Sequence, residues 1–149
     1  MLPYFTAWLV TLITLATPSN TSAEQRLVEV MFARDVVNAE PVRPFEPGAY
    51  CEREPEPTGP IPVIDSQAET RVFFWSRFES SAEGLLRHSW YKDGVELYVV
   101  DLKIGKSPRW RSWSWKDIVP NEHAGKWKVV LSTVGEASEV ICAAHFLVK

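Results

Sequence analysis

Residues 85–104 read LLRHSWYKDGVELYVVDLKI, and the fold turns on how this stretch is read. Asp93-Gly94 separates two apolar runs, 85–91 and 95–104. Asp-Gly supplies the positive φ angles of a two-residue turn whose twist matches that of paired strands, so the stretch is predicted to be a β-hairpin.

Outward from this hairpin the same period-two text recurs. Residues 70–79 (TRVFFWSRFE) set Val72, Phe74, Ser76 and Phe78 on one face and Arg71, Phe73, Trp75 and Arg77 on the other, and the first set is expected to face the core. Residues 26–37 (RLVEVMFARDVV) form a further strand, with Val28, Val30 and Phe32 expected inward. On the other side, 109–115 (RWRSWSW), 126–133 (KWKVVLST) and 139–148 (EVICAAHFLV) follow, the last two predicted to pair around 134–138. A single helical or 3₁₀ turn is expected at 116–120. About seven short strands with no amphipathic helix indicate an all-β chain, an immunoglobulin-like antiparallel β-sandwich. The Pro- and Glu-rich segment at about 38–62 is expected to be an irregular loop, because proline removes ladder donors and fixes φ.

The chain has 149 residues, 46% of them hydrophobic, with seven Trp and a net charge of −3. That is enough apolar surface for one core without structural metals. The charge gives no basic footprint for phosphate, so nucleic acid is not an expected partner. Residues 1–23 have a signal-peptide layout: an apolar run from Phe5 to Ala16, then Pro18 and small or polar residues, with cleavage expected after Ala23. No Lys or Arg precedes the apolar run, and an uncleaved N-terminal anchor is the competing reading. The run is shorter than the ~20 apolar residues of a spanning helix, so no membrane span is expected after cleavage. Residues 24–149 then form a single domain. In an exported chain the even pair Cys51 and Cys142 suggests a disulfide. The alternative is a small buried Cys142 and a free Cys51.

Five stretches resemble, in order, a bacterial family called domain of unknown function 2914: MFARDVVNAEPV (31–42), VFFWSRF (72–78), LRHSWYKDG (86–94), RWRSWSWKDIVP (109–120) and GKWKVVL (125–131). The resemblance implies a β-rich, exported or membrane-attached protein without an established activity. The Pro- and Glu-rich insertion carrying Cys51 departs from the family pattern, which would make a disulfide particular to this branch.

The most informative chemistry lies at 109–115. Strand alternation sets Trp110, Ser112 and Ser114 on one face and Arg109, Arg111, Trp113 and Trp115 on the other. Indoles cover the apolar face of a sugar ring and guanidiniums fix its orientation, so the second set, with His88, is a candidate ligand-binding group. The architectural alternative puts the indoles in the core, with arginines stacked over the remainder and His88 buried and hydrogen-bonded to backbone. His88, His123 and His145 sit on separate elements without metal-ligand spacing, so no metal site is expected. Glu52, Glu54 and Glu56 read as a solvated, self-repelling run. No nucleophile elbow, zinc-protease motif or phosphate-cradling glycine loop is present, so no catalytic residues and no cofactor are expected. The expected function is a non-enzymatic periplasmic or secreted binding or accessory domain that contacts protein or polysaccharide of the bacterial cell envelope. The alternative is a carbohydrate- or cell-wall-binding module using the Arg/Trp face, and a hydrolase is the remote one.

Overall fold

The computed structural model describes residues 24–53, 55–135 and 138–149. The expected leader, 1–23, and Glu54 lie outside the described residues.

Nine strands make up the described residues: β1 (Gln25–Val37), β2 (Glu40–Pro44), β3 (Val63–Ile64), β4 (Arg71–Ser80), β5 (Gly84–Lys92), β6 (Val95–Ile104), β7 (Ser107–Asp117), β8 (Gly125–Thr133) and β9 (Val140–Val148). They form two sheets, ordered β2-β1-β4-β7 and β3-β9-β8-β5-β6. Every pairing is antiparallel except that of β3 with β9. Without β2 and β3 the orders are β1-β4-β7 and β9-β8-β5-β6, an immunoglobulin-like sandwich in which the chain changes sheets at β4–β5, β6–β7 and β7–β8. These seven are the strands expected from the sequence.

The β5–β6 hairpin turns at Asp93 (φ 49°) and Gly94 (φ 81°), and Lys92 pairs with Val95, as the Asp-Gly signal requires. The core lies between the sheets. Phe32 of β1, Phe74 and Phe78 of β4, Leu86 and Trp90 of β5, Trp127 of β8 and Phe146 of β9 are all enclosed there. Trp127 stacks on Phe146 with ring centroids 5.7 Å apart and planes 14° off parallel. Burying such side chains contributes roughly 1.5–3 kcal/mol each.

Three local expectations are corrected. A bulge between Leu27 and Glu29 shifts the β1 register, so Leu27, not Val28, packs on the core beside Val30. The Pro-rich segment is not wholly irregular, since it contributes β2, and the short β3 follows directly after it. Prolines are tolerated in β2 because it is an edge strand whose outer side needs no donors. Its turn, Asn38-Ala39, has positive φ at both residues (50° and 64°) but no glycine, which hid it from sequence reading. Finally, β7 runs on to Asp117, opposite Arg71 of β4, so no helical turn begins at Lys116.

Candidate ligand-binding face

The residues selected at 109–115 occupy β7, the edge strand of the first sheet. The inward set points into the sandwich: Ser112 and Ser114 are buried, and Trp110 is half-buried with Nε1 donating to the Lys103 carbonyl and the Ser112 hydroxyl. The outward set forms part of a surface shared with β4. Cross-strand pairs put Trp75 beside Trp113 and Phe73 beside Trp115, making a four-ring aromatic ladder on the outer face.

The ladder is unevenly covered. The β1–β2 turn folds over one end, and the Trp75 indole nitrogen donates to the Ala39 carbonyl at 2.8 Å, leaving Trp75 1% exposed. Phe73 is nearly as buried, Trp113 is half-buried, and Trp115 is 46% exposed. Trp115 rests against Phe73 with centroids 5.8 Å apart, and the Arg71 guanidinium lies 5.7 Å from the Trp115 ring centre while its Nε donates to Asp117 at 2.7 Å. Neither Trp113 nor Trp115 belongs to the core.

At the other end of β7, Arg109 and Arg111 do not stack on the indoles. Both donate to one oxygen of Glu40 on β2, from 2.9 Å in the case of Arg109. These hydrogen bonds hold the Glu40 carboxyl below the usual carboxylate range. The carboxylate orients two guanidiniums with one negative charge, which leaves donor capacity for an incoming anionic or hydroxyl-bearing group.

His88 does not join this face. It points between the sheets from β5, with no exposed surface, and its ring meets Phe74 edge-on at 5.0 Å. Its partner is not backbone but the Ser114 hydroxyl of the facing sheet, 2.7 Å from Nδ1. Trp90 Nε1 donates to the same hydroxyl oxygen at 3.0 Å, and among the described residues His88 Nε2 has no hydrogen-bond partner. A Ser–His contact of this length is a nucleophile–base distance, but both groups are sealed inside the sandwich, and here the contact ties the two sheets together.

Cys51 and Cys142 are bonded, with Cα atoms 5.1 Å apart. Beside the bond, the Glu52 and Ala143 backbones exchange two hydrogen bonds, at 3.0 and 2.7 Å, strapping the Pro-rich segment along β9. The strap also creates a feature that sequence reading missed. A cleft of about 610 Å³ lies on the second sheet between Pro55–Pro57 and Tyr91, Lys128 and His145. Burial lowers the His145 pKa, and the Lys128 ammonium lies 4.8 Å from the Tyr91 ring centre. Nothing in the local text joins residues so far apart. The Glu52 carboxylate accepts from the Thr58 amide and hydroxyl rather than facing bulk water alone. Among the described residues no three His, Cys, Asp or Glu side chains converge as a metal site.

No curated protein matches the chain. A family model described as "Protein of unknown function (DUF2914)" matches residues 84–148, which are β5 to β9. The matched region holds three of the stretches that carry the resemblance, at 86–94, 109–120 and 125–131, whereas 31–42 and 72–78 lie outside it. Over that span, by its hairpin, its Trp-rich edge strand and its closing strand pair, the chain is similar to the DUF2914 family.

Proposed function

We propose that this protein is a non-enzymatic, exported binding or accessory domain of the bacterial cell envelope that contacts protein or polysaccharide through the outer face of its first sheet. One observation carries the reading. Trp115 leaves nearly half its surface uncovered on a rigid strand, within an aromatic ladder that ends in two oriented guanidiniums. Holding so large an apolar side chain in water is unfavourable unless another surface covers it. A polysaccharide is favoured over a protein target by the flat Trp115 indole with the Arg71 guanidinium 5.7 Å from its ring centre, a pairing that matches a sugar ring and its hydroxyls.

The test is co-sedimentation of the purified protein with insoluble cell-wall polysaccharide and, separately, with solubilised envelope proteins. Trp115→Ala is expected to lower retention by about tenfold, the equivalent of ~1.4 kcal/mol. Its melting temperature should stay within a few degrees, since surface changes cost about 0.5 kcal/mol or less. Equal retention of wild type and variant on both matrices would remove this face from the function.

Export is supported by the leader-like text at 1–23 and by the disulfide, which persists in oxidising compartments. Intact-mass analysis of protein recovered from the envelope is expected to give a chain beginning at Glu24. A mass that includes Met1 would show that the leader is retained.

A further inference from the structure

The outer edge of the second sheet is built in an unusual way. β6 is ten residues long, pairs only with β5 among the described residues, and contains no proline; near its end the Lys103 carbonyl accepts from the Trp110 indole, so the open edge runs from Val95 to Leu102. Val95, Leu97, Tyr98 and Val99 are all exposed, Val95 by 61%. Long, apolar, unpaired edges invite further strand pairing, and monomeric proteins usually blunt them.

The β5–β6 register shows which β6 residues share a face. Tyr98, Val100, Leu102 and Ile104 stand opposite Trp90, His88, Leu86 and Gly84, so they lie on the core side. Glu96, Val99, Asp101 and Lys103 stand opposite Tyr91, Ser89, Arg87 and Leu85, on the outer side. Leu97 is the extra residue of a bulge and occupies no ladder position of its own. The remaining nine residues therefore fill nine ladder positions, with Val100 at the centre.

We propose that a second copy of this chain pairs with β6 through β6, antiparallel, about a two-fold axis perpendicular to the sheet at Val100. An isologous contact of this kind requires a self-complementary strand, and β6 is one. With the bulge counted, Val95 falls opposite Ile104 of the other copy, Tyr98 opposite Leu102, and Val100 opposite itself, so the core-side pairs are all apolar. On the outer side Glu96 falls opposite Lys103 of the other copy, twice by symmetry, and Val99 opposite Asp101. Opposite charges facing one another across strands are favourable, and like charges are not. The charge pattern thus selects this register over its neighbours and a like strand over an unrelated one. The two sheets join into one ten-stranded sheet.

Sedimentation velocity over a micromolar to sub-millimolar concentration series tests this. Wild type is expected to show a reversible monomer–dimer equilibrium. Glu96→Lys puts lysine opposite lysine at both symmetric positions and should weaken the dimer by about tenfold. The double variant Glu96→Lys/Lys103→Glu restores both pairs with the charges reversed and should recover the wild-type affinity. Glu96 is exposed, so neither variant disturbs the core. Three results would overturn the proposal: a monomer at every concentration, a dimer indifferent to Glu96→Lys, or a weakened dimer that the double swap fails to recover. The first of these would leave the edge to an extended segment of another protein.

Discussion

Acidification from pH 6.5 is expected to destabilise the fold well before its carboxylates titrate. His88 has an ordinary pKa of 6.5 in the unfolded chain, and burial lowers it to about 3 in the folded one. Its surroundings are apolar, with Phe74 against the ring and one neutral hydroxyl as its partner. Because the folded value lies below the unfolded one, the unfolded chain binds the proton first as pH falls. Stability is therefore fully present above about pH 6.5, declines below it, and stops declining once the folded state also takes up the proton near pH 3. A shift of this size is worth about 5 kcal/mol at the acid limit, and ~2 kcal/mol is already lost near pH 5. Urea unfolding midpoints measured across this window check the expectation. His88→Asn removes the ionisable group, so its slope between pH 6.5 and 5 should be nearly flat, apart from a smaller contribution of the same sign from His145, whose pKa burial also lowers. Equal slopes in wild type and variant would show that His88 protonates without opening the core.

Breaking the Cys51–Cys142 bond is the second large effect. The two residues are 91 positions apart, and in the chain-entropy model a loop of that length restricts the unfolded state by about 4–5 kcal/mol. The folded state holds the strap by further contacts, because Cys142 is 2% exposed in the core and the Glu52–Ala143 backbone pair lies next to it. The double variant Cys51→Ser/Cys142→Ser is thus expected to fold at low temperature and to unfold at a much lower urea concentration than the oxidised protein. A loss below about 1 kcal/mol would mean that the unfolded chain is already compact around these positions. The same variant probes the cleft, since Pro55–Pro57 would no longer be pinned above Tyr91 and His145.

The two effects differ in how visible they were beforehand. A pair of cysteines behind a leader-like N-terminal stretch already suggests a bond. The position of His88 on a strand face shared with Leu86 and Trp90 was equally legible, but nothing in the text said that Ser114 would meet it from the opposite sheet. The sequence reading offered backbone as its partner, and a hydroxyl from β7 takes that place.

The candidate face shows the same division. Alternation along 109–115 correctly separated Trp110, Ser112 and Ser114 from Arg109, Arg111, Trp113 and Trp115, because side chains on a strand point to opposite sides whatever surrounds them. Which indole stays exposed was not encoded there. Trp75 and Trp115 stand on the same outer face, yet one is sealed and the other open, because the β1–β2 turn reaches over only the first. That turn was itself missed, since Asn38-Ala39 adopts positive φ without the glycine that normally marks it.

By itself, then, the sequence determined the seven strands of the sandwich, the Asp93-Gly94 hairpin, the inward set of β4 and the division of β7 into two faces. These follow from interactions between residues a few positions apart: period-two alternation, turn chemistry and proline placement. Only the tertiary structure decided that Glu40 holds Arg109 and Arg111, that the Pro-rich segment straps β9, that His88 bonds across the core, and that β6 lies last in its sheet. Each of these joins residues between 26 and 91 positions apart or depends on which strand lies last in a sheet, and such outcomes are set by how whole layers pack rather than by any local preference.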